Sequence, residues 1–133
     1  MAERLIKAVE EKAEKLNVHV VIAVSDASAR PIAIHCMDDA YPASFDIALH
    51  KTFTSTGLKM STEALSKLSQ PGQPLYGIQF TNDGKIVIFG GGEPLYHEGI
   101  LLGALGVSGG TAKQDTELAA YGKKIFEEVL MCR

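Results

Sequence analysis

Gly103-Ala104-Leu105-Gly106-Val107-Ser108-Gly109-Gly110-Thr111-Ala112-Lys113-Gln114-Asp115 carries an apolar strand through two glycines into a helix that brings its own cap. Thr111 and Gln114 have the spacing of a capping box, in which each side chain takes a backbone N–H that the helix leaves free. Gly109 and Gly110 let the chain turn sharply and put no side chain over the new helix end. Such an end carries unpaired N–H groups and a partial positive charge, which suit a carboxylate or a phosphate. A second cluster, Gly90-Gly91-Gly92, ends an upstream strand. The two corners predict either a shared ligand cradle, with Gly90, Gly91, Gly92, Ser108, Gly109, Gly110 and Thr111 around it, or close backbone packing.

The remaining chain frames this motif. Its 133 residues predict a single domain with a real core. With 46% hydrophobic and 22% charged residues the chain is not disordered, and a net charge of -3 gives nucleic acid no basic footprint. The N-terminal stretch alternates charges with apolar residues, unlike a signal peptide, and no apolar run reaches membrane-spanning length. Cys36 and Cys132 are far apart in the chain and without companions, which fits a reduced, cytoplasmic protein.

Leu5, Val9, Ala13 and Leu16 recur at helical spacing and predict a surface helix over 2–16. The β-branched run from Val18 to Ser25 reads as a covered strand, with Ile32 to Met37 returning after a turn. Tyr41-Pro42 opens a helix whose Phe45, Leu49, Thr52, Phe53 and Thr56 are expected inward, until Gly57 stops it. A shorter helix follows Ser61. Asn82-Asp83-Gly84 predicts a hairpin between strands 75–81 and 85–89. A last strand, 100–107, precedes the final helix, 112–130. The order α-β-β-α-α-β-β-β-α, with short links, predicts an α+β fold with a five-stranded antiparallel sheet covered by helices.

Several blocks together resemble a known family: Met37-Asp38-Asp39-Ala40, Ser44-Phe45-Asp46-Ile47-Ala48 with Lys51, Gln70-Pro71-Gly72 with Leu75-Tyr76-Gly77, Phe89-Gly90-Gly91-Gly92 with Pro94, and Gly103 through Asp115. This pattern is similar to the GlcG/HbpS family, and within it to the haem-binding C-terminal domain of the propanediol-utilisation corrinoid adenosyltransferase. The resemblance implies a profilin-like sandwich and homo-oligomers. It also implies binding of haem or a corrinoid-related tetrapyrrole, linked to diol, glycerol or glycolate metabolism. Two positions depart from the pattern. Asp26-Ala27-Ser28-Ala29 replaces the usual Asp-x-Gly-Gly, and Cys36 stands where arginine is frequent.

A haem needs a side chain with a lone pair in an apolar slot. His50 follows Asp46 by one helical turn, so a carboxylate is in position to orient its imidazole. His19 alternates with Val18 and Val20 and faces the other side of the first strand. These two are the candidate axial ligands, each against the plainer reading of a solvated or core histidine. His35 and Met37 share one strand face and Cys36 takes the other, so the three do not converge on one metal. No histidine pair or Cys-x-x-Cys has zinc spacing. Asp38 and Lys51 are the candidate acid–base pair of an alternative reading, an enzyme or sensor for a small hydroxy acid or aldehyde. The plainer reading of Lys51, and the one preferred here, is a salt bridge that holds the helix over the sheet. A third reading is an oligomeric accessory subunit with no ligand of its own.

Overall fold

The structure is a computed structural model and describes residues 1–132. Helix α1 (Ala2–Lys15) leads into strands β1 (Val21–Asp26) and β2 (Pro31–Cys36). Helices α2 (Ser44–Leu58) and α3 (Thr62–Leu68) follow, then two short 3-10 turns, strands β3 (Gly92–His97) and β4 (Ile100–Ser108), and helix α4 (Ala112–Met131). The strands form one antiparallel sheet in the order β2-β1-β4-β3. No helix among the described residues is long and apolar enough to cross a membrane.

The alternation of β1 divides the molecule into layers. Val20, Ile22 and Val24 point into a core with Leu5, Ile6 and Val9 of α1 and Leu118, Ala119 and Phe126 of α4. Val21 and Ala23 point the other way, against Ala48 of α2. The sheet therefore lies between α1 and α4 on one face and α2 on the other.

Neither of the strands expected at 75–81 and 85–89 forms; a strand that was not expected, β3, stands after them, and the sheet has four strands rather than five. Asn82, Asp83 and Gly84 do take positive φ, but all three in succession (51°, 56° and 75°), and a two-residue primed turn has no place for the third. Before them the chain coils as a 3-10 turn at Ile78–Phe80. After them it is tied to a helix: the Val87 N–H donates to the Thr54 hydroxyl of α2 at 2.9 Å. The hairpin lies further on, where Glu98 (φ 52°) and Gly99 (φ 78°) join β3 to β4. Gly92 belongs to that strand rather than leaving the sheet.

Helix α2 buries Thr52 and Thr56 as expected, but the rest of its inward stripe differs. Ser44, Ala48, Lys51, Thr52 and Ser55 are buried, whereas Phe45 is 42% exposed. Close approach of two backbones is the reason. A Cβ on Gly106 of β4 would collide with the Ala48 carbonyl oxygen, so helix and strand meet with nothing larger than small side chains between them. Gly57 lies inside α2, and Lys59 ends the helix in the left-handed region at φ 56°.

At the β1–β2 turn, the Asp26 carboxylate accepts the Ser28 and Arg30 N–H groups at 2.9 and 3.0 Å. It also accepts the Arg30 Nε–H at 2.8 Å. The turn requires φ 64° at Ala29, which an L side chain resists. Ala29→Gly relieves this and is expected to stabilise the protein by about 0.5–1 kcal/mol, after the greater freedom of glycine in the unfolded chain is deducted. A urea-melt midpoint that does not rise would refute it.

Candidate functional site

The two glycine corners do converge, but around side chains. Lys51 rises from α2 past the start of β3, where Gly91 leaves room: a Cβ there would stand 2.6 Å from the ammonium nitrogen and 2.5 Å from the Val107 carbonyl oxygen. Lys51 Nζ donates to that Val107 carbonyl at 2.6 Å and pairs with Asp115 Oδ2, in the first turn of α4, at 3.4 Å. The Phe89 ring lies 5.1 Å from the same nitrogen, within cation–π range. Asp115 in turn accepts the Gly110 N–H at 2.9 Å and the Gly109 N–H at 3.4 Å. The acidic occupant that the corner suits is thus supplied by the chain itself.

Burial acts on both charges. It pushes the Lys51 ammonium below its usual pKa, with Asp115 pulling back. It raises the Asp115 carboxyl, against Lys51 and the Gly109 and Gly110 amides. Lys51 is completely buried, and Asp38 is not among its hydrogen-bond partners, so the expected Asp38–Lys51 pair is not formed. Gly90, Gly91 and Gly92 are buried too, and the Gly92 N–H is given to the Thr62 hydroxyl at 2.8 Å. Ser108 is only 4% exposed. Gly91, Gly92 and Ser108 are packed into the structure, whereas Gly90 borders an open depression of about 460 Å³ with Phe89, Ala112 and Thr116.

The other half of the predicted set faces outward. His19, just before β1, is exposed. Beside it lies an open depression of about 400 Å³ whose walls include Val18, Tyr41, Gly109, Gly110, Thr111 and Gln114. The capping box is present: the Gln114 N–H donates to Thr111 Oγ1 at 3.1 Å, and the Thr111 N–H to Gln114 Oε1 at 2.9 Å. His19 also borders a second depression of about 420 Å³, with Glu10, Glu14, His35, Cys36, Met37 and Asp38. The imidazole therefore stands between two hollows. His50 is half-buried on α2 and makes no hydrogen bond to Asp46; it lies outside both hollows.

Within the second hollow, His35 of β2 is hydrogen-bonded to Glu10 of α1. That bond, then the nearby Glu10 charge, raises the His35 pKa above 6.5. Met37 turns its sulfur to the Val20 N–H at 3.5 Å. Among the described residues no three His, Cys, Asp or Glu side chains are grouped to hold a metal ion.

Tyr41 and Asp115 were given no part by sequence reasoning. Asp115 had a signal: Ala48, Lys51, Thr52 and Ser55 make a small, polar helix stripe, and a lysine in a buried stripe demands an anion. Tyr41 had none beyond its helix-start position.

Architecture and surface together define an α+β protein with an exposed imidazole, that of His19, bordering two shallow hollows. The chain belongs to the HbpS-like family: the family model described as "haem degrading protein HbpS-like" matches residues 1–124. An uncharacterised 15.0 kDa protein from the dhaT-dhaS intergenic region of Citrobacter freundii is 44% identical over 128 residues, covering 96% of this chain and 90% of that one. The corrinoid adenosyltransferase PduO of Salmonella typhimurium is 40% identical over 116 residues, 87% of this chain but 34% of PduO. Among solved structures, the PduOC:haem complex superposes with a TM-score of 0.88 at 38% identity, covering 92% of this chain and 88% of that one.

Two outcomes follow from the geometry. Lys51→Met strands a buried carboxylate, and Asp115→Asn strands a buried ammonium. Each is expected to cost about 3–5 kcal/mol in urea unfolding, and the double variant clearly less than the two together; strict additivity would show the pair to be uncoupled. For His35, a raised folded-state pKa means its stabilisation is full below pH 6.5 and lost as pH climbs through the raised value. NMR titration should therefore show Glu10→Gln bringing His35 back toward its ordinary value.

Proposed function

We propose that this protein binds haem or a corrinoid-related tetrapyrrole, with His19 as the axial ligand, in diol- or glycerol-linked, cobalamin-dependent metabolism. The observation that carries this is the position of His19, exposed and flanked by a hollow on each side. A flat macrocycle needs one lone-pair donor near its centre and room in both directions. Tyr41, 69% exposed on the wall of the first hollow, offers an aromatic face to the ring. The half-buried Gly109-Gly110 turn, with Thr111 and Gln114 beside it, offers a polar margin to the first hollow. The haem complex of PduOC and the haem-degrading name of the family support haem as the ligand.

His50 is the weaker of the two predicted ligands because it borders neither hollow. Self-association belongs to this reading. Phe45, Tyr76 and Phe80 are 42%, 60% and 79% exposed, aromatic surface of the kind that a second copy covers. Burial of Lys51 disfavours the hydroxy-acid enzyme, since a sealed ammonium meets no substrate.

Titration of the purified protein with hemin tests the reading. A saturable Soret shift is expected, lost or moved in His19→Ala and retained in His50→Ala. No shift in the wild type, or one indifferent to His19, removes the proposal.

A further inference from the structure

The buried pair and the exposed histidine belong to one mechanical unit. Asp115 holds the Gly109 and Gly110 N–H groups from beneath, while the upper side of those residues forms part of the His19 hollow. Gly109 is pressed on the His19 backbone, since a Cβ there would collide with the His19 carbonyl oxygen and lie 2.9 Å from Val20 Cα. Its φ of 141° is one that an L side chain rarely adopts. Lys51 anchors the same carboxylate and the Val107 carbonyl, just before the turn. Among the described residues, Asp115 is the acceptor that meets both the Gly109 and the Gly110 N–H.

The geometry points to Lys51 and Asp115 as positioning residues for the His19 site: the carboxylate acts as a built-in anion that shapes the Gly109-Gly110-Thr111 turn against His19, and the ammonium fixes the carboxylate. This rests on the haem-binding reading of that site and deepens it. Neither residue touches the ligand. Their contribution is the shape and rigidity of one wall of the hollow.

The two hydrogen bonds also define what a substitute must be. Asp115→Ala removes the carboxylate and leaves two N–H donors and an ammonium facing a space the size of a small acid. Formate has the matching charge and shape, so the loss should be reversible in trans.

Three measurements on the full chain decide the matter. In the wild type, the Gly109 and Gly110 amides should exchange with deuterium at least roughly tenfold more slowly than those of the exposed turn at Gly72. In Asp115→Ala, that protection should disappear and hemin affinity should fall roughly tenfold, with the Soret band altered. Sodium formate should restore both, whereas chloride at equal ionic strength should not. Phe126→Leu, a core change away from the site, serves as a stability-matched control and should leave hemin binding as it is.

Should Asp115→Ala fail to fold, Asp115→Asn keeps an acceptor for the Gly110 amide while losing the charge that holds Lys51, and should show an intermediate affinity. Unprotected glycine amides in the wild type would overturn the proposal, as would hemin binding in Asp115→Ala or Asp115→Asn equal to that of the wild type. If the wild type ignores hemin altogether, the haem reading fails. The exchange protection and its rescue by formate then still report on the turn itself.

Discussion

A buried lysine reaching from one helical layer to the other is the contact on which this architecture turns. Lys51 starts on α2, on one face of the sheet, and meets Asp115 of α4, on the opposite face. Neither charge is tolerable alone in that interior. Together they also satisfy a strand carbonyl and two amides of a glycine turn, so that helix, strand end and loop are locked in one network. Such a pair adds little net stability compared with apolar packing, but it penalises every arrangement in which the partners miss each other.

That network imposes itself on its surroundings. Gly91 must be bare where the lysine passes, and Gly106 must be bare where α2 lies on β4. The helix answers with Ala48, Thr52 and Ser55 inward and Phe45 outward, reversing the usual distribution. An amphipathic helix is normally held by its large apolar residues. Here small residues allow the backbones to approach, and Phe45 is left on the surface.

The surface that remains is modest: an exposed imidazole, an exposed tyrosine and a glycine turn braced from below. The chain belongs to the HbpS-like family and is similar to PduOC, which was solved as a haem complex. Only one third of the corrinoid adenosyltransferase corresponds to this chain, so the adenosyl-transfer activity in that name is not transferable to it.

Local patterns in the sequence determined the helices, the first two strands, the last strand and the capping box at Thr111, because periodicity and capping are properties of neighbouring residues. The family was legible for the same reason, as its blocks are contiguous. The hairpin at Asn82-Asp83-Gly84 was misread because turn-forming residues record a local backbone preference, whereas a strand needs a partner that only the folded chain supplies; here Thr54 took the N–H of Val87 instead. The face of α2 was set by the closeness of Gly106, and the glycine corner was filled by Asp115, both decided between elements distant in the chain. Composition and spacing specify which donors and charges a chain owns. Which of them meet, and which stay open to a ligand, depends on how the layers stack.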